Sequence, residues 1–281
     1  MGSYPPVPQP EILPPNPNSN PNYGYAPPPP PVRRKRPSWA AAPATYLLVG
    51  INCAVFIGMV LSGVSIGNPT VDQLLKWGAD NTSAVLLGGE WWRIVTAMFV
   101  HVGIIHLATN MWCLWNLALL AEPLMGSIGV FAVYILTGAA GNLLSVGFNW
   151  YKYHDVGVYP VGAGASGAVF GIAGALIVLL KSDRLPIDPM ELKRLRKSVI
   201  YFAVLNLVIS FGVNLGSGFT GVNVDNAAHV GGCLCGLLFA APMVPRIGSS
   251  RESFLTRLQV AIGMVVLVLT LFAFYISRLG G

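Results

Sequence analysis

Four polar residues lying in otherwise apolar stretches could do chemistry: His106, Asn110, Ser166 and His229. Ser166 stands in Gly164-Ala165-Ser166-Gly167, which opens a charge-free run of small and apolar residues ending near Leu180. A hydroxyl between glycines has two readings. Ser and Gly are the usual small residues where apolar helices come close, so the motif by itself reads first as packing. A serine becomes a nucleophile only when a base within hydrogen-bond reach takes its proton, and a neutral imidazole can do that. Chemistry at Ser166 therefore requires that the histidines be brought to it.

The elements that must do so are membrane spans. Of 281 residues 54% are hydrophobic and 10% charged, which excludes an ordinary soluble domain and indicates an all-α polytopic membrane protein. Seven apolar spans are expected near 44–66, 102–121, 128–149, 165–181, 198–215, 227–244 and 256–276. A net charge of +6 is explained by basic residues flanking spans, so no nucleic-acid partner follows. If the N-terminal tail is cytoplasmic, that side collects 13 of the 17 Lys and Arg, in Arg33 to Arg36, Lys181 to Lys197, and Arg246 to Arg257. The opposite side keeps Lys76, Arg93, Lys152 and Arg278. This asymmetry predicts the N-terminus inside and the C-terminus outside. Cys53, Cys113, Cys233 and Cys235 have no paired spacing, so neither a disulfide framework nor a metal site is expected.

With that orientation spans two, four and six run from outside to inside, and His106 with Asn110, Ser166, and His229 all fall in their first turns. The four share one depth near the outer face. His106 and Asn110, four apart, project from one face of span two. Gly167, Gly171 and Gly174 beside Ser166, and Gly232 and Gly236 on the His229 face, allow the helix axes to approach closer than the usual ~8–10 Å. That approach is what a Ser166–His229 hydrogen bond needs, although such glycines pack helices in any polytopic protein.

The remaining segments read more plainly. Residues 1–42, with Pro27 to Pro31 and no aliphatic cluster, form a disordered tail of polyproline II character, with neither a signal-peptide nor a myristoylation pattern. The stretch from Asn68 to His101 sets Leu74, Trp77, Trp91 and Trp92 among charges and reads as a partly embedded amphipathic element. Lys181 to Lys197 reads as a short basic cytoplasmic loop with Pro186 and Pro189 as breakers, and Gly216 to Gly221 as a flexible outside linker. Asp225, one turn before His229, reads as a solvated loop end.

Together these residues resemble the rhomboid intramembrane serine proteases. The resemblance is carried by Gly164-Ala165-Ser166-Gly167, by Ala228-His229 with Gly232 and Gly236, and by His101, His106 and Asn110 in HVGIIHLATN. Glu90-Trp91-Trp92-Arg93, Glu122 and Leu74-Leu75-Lys76-Trp77-Gly78-Ala79 add to it, so the match covers roughly 44–245 and leaves out the tail and span seven. It implies a six-helix rhomboid-like bundle at 43–245, followed by a linker and a C-terminal seventh transmembrane helix at 246–281. It also implies Ser166 as nucleophile and His229 as base, with no third carboxylate. His106, the Asn110 amide and the Ser166 N–H become the oxyanion donors, with Gly164, Gly167 and Phe170 in support. Many members carry a tyrosine at the place of Phe170, whose ring can still stack on the histidine. His101, Glu122 and Arg93 are structural in this reading.

The expected partners are transmembrane protein substrates within a lipid bilayer, arriving past span five, with no cofactor or metal. The expected location is a plasma membrane of the bacterial inner-membrane kind. Two rival readings are an inactive rhomboid-like protein that binds or escorts membrane proteins, and a seven-span transporter or receptor. The second is disfavoured because the polar residues lie at one shallow depth rather than at the midplane.

Overall fold

The computed structural model describes residues 42–182, 185, 187–220, 224–244 and 250–279, with the backbone alone for 213–220. The Pro-rich tail with its basic run, Arg184, Pro186, Gly221 and Arg246 lie outside the described residues. In chain order the elements are α1 (Pro43–Leu61), α2 (Val71–Lys76), β1 (Asp80–Asn81), α3 (Thr82–Leu86), α4 (Arg93–Thr96), α5 (Ile104–Tyr153), β2 (Val161–Gly162), α6 (Ser166–Leu179), α7 (Pro189–Thr220), α8 (Asn226–Ala240) and α9 (Arg251–Ser277). Among the described residues four helices are long and apolar enough to cross a membrane: α1, α5, the 189–212 part of α7, and α9.

At about 1.5 Å per residue the 50 residues of α5 would extend about 75 Å, more than twice a hydrocarbon core of about 30 Å. Gly126 breaks it, with φ 69° and ψ 168°, three residues after Pro123. A positive φ of this kind is open to glycine and strained for most other residues. The helix is thus two arms, 104–125 and 127–153, where two separate spans are expected from the sequence.

Helices α5 and α8 pack most extensively against α6, with α7 touching it as well. Every residue of α6 from Gly167 to Leu176 is buried, as befits a helix apolar on all sides. At its glycines the contact with α8 is backbone to backbone. A Cβ at Gly232 would lie 2.0 Å from Gly167 O, one at Gly236 1.9 Å from Gly171 O, and one at Gly174 2.3 Å from Cys233 O. Helix α1 is joined to α5 by polar contacts at two levels. The Glu122 carboxylate accepts from Ala44 N at 2.9 Å, Thr45 N at 3.0 Å and Thr45 Oγ1 at 2.6 Å, filling donor positions that a helix start leaves empty. Deeper in, Asn52 Nδ2 donates to Tyr134 Oη at 2.9 Å. Helix α9 covers α5 and α8 with Leu258, Ala261 and Val265 buried.

The segment between α1 and α5 is a set of short helices rather than one amphipathic element. Helix α2 begins with a reciprocal capping box between Thr70 and Gln73. Arg93 then gathers the segment: it is paired with Glu90 and donates through Nη1 to Leu75 O at 2.7 Å and Ala79 O at 2.8 Å. Asn142 Nδ2 holds the segment to α5 by donating to Ile94 O at 2.9 Å.

Two loop expectations are corrected. Lys193, Arg194, Arg196 and Lys197 lie in α7, not in a loop, because Pro189 is its first residue, where the missing N–H costs nothing. Asp188 Oδ1 caps that start, accepting from Met190 N at 2.8 Å and Glu191 N at 3.2 Å. At the other end the backbone from Gly216 to Thr220 is helical, so that part of the expected linker belongs to α7 as well.

Candidate active site

The site forms where three helices begin. His106 is the third residue of α5 with Asn110 one turn on, Ser166 is the first of α6, and His229 is the fourth of α8. All four line a single cavity of about 340 Å³. Asn110 is buried and its Nδ2 donates to His106 O at 2.9 Å, so one amide proton is committed to the backbone and the other is available. The first N–H groups of α6, starting with that of Ser166, have no acceptor within their own helix.

The approach to Ser166 is held from both sides. β2 pairs antiparallel with β1, with Asp80 opposite Gly162 and Asn81 opposite Val161. Two residues on, Gly164 donates its N–H to Ala97 O at 2.9 Å. Its φ is +127°, and a Cβ there would lie 2.5 Å from His106 Cε1, so only glycine lets this strand pass under the His106 ring. His101 packs its ring, tilted by 54°, against His106 with centroids 5.3 Å apart, and its Nδ1 lies 3.2 Å from Phe99 O.

His229 is buried, its ring stacked on Phe170 with centroids 4.3 Å apart and planes 16° from parallel. The Nδ1 atoms of His229 and His106 are buried without a hydrogen-bond partner among the described residues.

Asp225 is not a solvated loop end. Its Oδ1 accepts from Ala228 N at 2.9 Å, capping α8, and its Oδ2 accepts the hydroxyl of Ser145 on α5. The carboxyl is thus committed to the helix start rather than to the His229 ring. The sequence reading also leaves out the cavity wall on α7, where Phe202, Asn206 and Ser210 face the site. The signal was present: two polar residues four apart within an apolar helix. Phe202 touches Phe170 at 6.2 Å between ring centroids.

A polytopic helical membrane protein with a serine, two histidines and an asparagine converging on one cavity defines the class. Residues 88–246, more than half of the chain, match the Rhomboid domain family. The chain is similar to the rhomboid protease GluP of Bacillus subtilis, 31% identical over 213 residues, which cover 75% of this chain and 37% of that protein. It is also similar to the rhomboid protease AarA of Providencia stuartii, 28% identical over 254 residues, covering 87% and 88% of the two chains. A third relative is RHOMBOID-like protein 7 of Arabidopsis thaliana, 34% identical over 170 residues, covering 60% of this chain and 48% of that protein. The chain belongs to the rhomboid family.

Proposed function

We propose that this protein is a serine endopeptidase that hydrolyses peptide bonds in or near transmembrane segments of other membrane proteins. The observation that carries the reading is the lining of one cavity by Ser166, His229, His106 and Asn110. Ser166 Oγ attacks the scissile carbonyl carbon while His229 takes its proton. The tetrahedral oxyanion is met by the Ser166 N–H, the uncommitted Asn110 amide proton and the His106 ring. His229 then gives the proton to the leaving amine, and water repeats the sequence on the acyl-enzyme. Stacking on Phe170 orients the imidazole in place of a third residue, which fits the absence of a described partner at His229 Nδ1.

In this reading six helical spans at 43–245 form the catalytic unit, and 246–281 adds a linker and a seventh span. The N-terminus is cytoplasmic and the site faces the outer side of a bacterial-type plasma membrane. Relatives named rhomboid proteases support the reaction class. A peptide bond inside a stable helix is shielded by its own hydrogen bonds, so the substrates carry small or helix-breaking residues near the outer end of a span.

The test is cleavage of a reconstituted transmembrane substrate, together with labelling by a fluorophosphonate probe. Ser166→Ala and His229→Ala are expected to lose both, by at least about 10³-fold, with unchanged melting. A folded parent inert to several substrates and to the probe overturns the reading in favour of a binding or escort role.

A further inference from the structure

Two carboxyls approach each other at the β2 end of the cavity, which Gly162 and Asp225 line. A Cβ at Gly162 would lie 3.5 Å from Asp80 Cβ and 3.6 Å from both Asp80 Oδ2 and Asp225 Oδ2. The glycine thus leaves the two acids on either side of a gap that no side chain of its own fills. Asp80 is 3% exposed and its Oδ1 has no hydrogen-bond partner among the described residues. Asp225 is better supplied, accepting from the Ala228 N–H and from the Ser145 hydroxyl, which in turn accepts from Asn149 Nδ2 at 3.1 Å.

Compensating charge is scarce. Arg93, from α4, is the cation that acts on Asp80, yet its guanidinium is already shared among Glu90, Leu75 O and Ala79 O. The end of α5 brings Lys152, whose ammonium lies over the Tyr153 ring at 5.0 Å. Helix α8 brings His229, stacked on Phe170, and β2 brings no ionisable side chain. Two neighbouring carboxylates, Asp80 buried and Asp225 half-buried, without a dedicated cation do not both ionise readily at neutral pH. Burial and then the neighbouring Asp225 push the Asp80 carboxyl up to about 8, against the pull of Arg93. Burial raises Asp225 too, but the Ser145 and Ala228 donors oppose it, which makes Asp225 the anion of the pair.

We propose that Asp80 and Asp225 hold one proton between them and that this pair is a positioning device, clamping β1 to the start of α8 so that the loop carrying Ser166 and the helix carrying His229 keep their register. Asp80 acts through Gly162, its partner in the β1–β2 pair, from which the chain runs on to Gly164 and Ser166. Asp225 acts through the cap of α8, where the His229 N–H donates to Asp225 O at 3.2 Å. Loss of the shared proton sets like charges against each other at the joint. The catalytic consequence rests on the protease reading, whereas the shared proton and the clamp do not.

The test is thermal unfolding across pH in detergent, in a Ser166→Ala background, comparing it with added Asp80→Asn and, separately, Ser145→Ala. The fold favours the protonated carboxyl, while an unfolded aspartate titrates near 3.9. The stabilisation is therefore full below that range and is lost as pH rises toward about 8. The background is expected to lose roughly 2–4 °C in Tm per pH unit between about 5 and 8, and Asp80→Asn to flatten that slope. Ser145→Ala withdraws a donor from the anion and should move the end of the slope to higher pH. In the Ser166-containing enzyme kcat falls above about pH 8 with KM little changed, and Asp80→Asn keeps kcat there. A slope unchanged by Asp80→Asn overturns the proposal, and if that variant does not fold, an unmoved slope in Ser145→Ala does so. A flattened slope in a protein that cleaves nothing upholds the shared proton and sinks the protease reading instead.

Discussion

An imidazole stacked on Phe170 at 4.3 Å has given up most of its rotational freedom before any substrate arrives. In the protease reading the stabilisation of charge in the transition state comes from donors aimed at the oxyanion, and Asn110 is one that can be removed without touching the serine or the base. Asn110→Ala takes away a single side-chain donor, and removal of one such donor typically costs about 10²–10³ in kcat. The expected outcome is that loss with KM changed little, measured by steady-state cleavage of a transmembrane substrate. A change confined to KM would make Asn110 a binding residue. At this scale the sequence was informative where residues lie within one helix: the four-residue spacing of His106 and Asn110 fixes their common face. It was uninformative for Asp225, because its surroundings are set by Ser145, 80 residues away, and by Asp80 across Gly162.

At Gly174, Gly232 and Gly236 the contact of α6 with α8 is made of backbone rather than side chains, so there it has no flexible layer that can yield. Gly236→Ala would set a methyl 1.9 Å from Gly171 O, and moving that carbonyl means moving both helices apart. Overpacking of a rigid contact costs roughly 1–3 kcal/mol or more, and Gly236→Ala is expected at the upper end, with loss of cleavage because His229 rides on the displaced helix. Gly263→Ala on α9 is the control. Nothing lies within 4 Å of its added methyl, and Ala in place of an exposed helical Gly is neutral or stabilising by about 0.5–1 kcal/mol. Thermal unfolding of the two variants in one detergent compares them, and equal losses would refute the backbone-contact argument. The small-residue spacing behind this contact was legible in the sequence. The extent of α7 was not, since a basic stretch with two prolines looks like a loop until Asp188 is seen capping a helix whose first residue is Pro189.

Across the whole molecule, the helices that carry the serine and His229 are too short for the membrane around them. With 14 and 15 residues, α6 and α8 are about 21 and 22 Å long, some 8–9 Å less than a hydrocarbon core of about 30 Å. In the protease reading the N-terminal ends of α6 and α8 lie below the bilayer surface, and the cavity of about 340 Å³ at those ends is the route by which water would reach a polar site that lipid would otherwise penalise. Depth was legible only indirectly, as the shared position of four polar residues in their first turns, because the shortening depends on where the helices end. The same geometry fixes a cutting depth. In a substrate whose small, helix-breaking segment sits at the level of Ser166, shifting that segment four residues toward the cytoplasmic side lowers it by about 6 Å. Nothing in the site can follow, since Ser166 and His229 stand on helices locked by backbone contact. Cleavage, mapped by mass spectrometry of the products, is expected to fall at least about 10-fold without relocating to the shifted segment. Efficient cleavage at the new depth would mean that the site moves within the membrane, which the rigid seating of α6 against α8 does not permit.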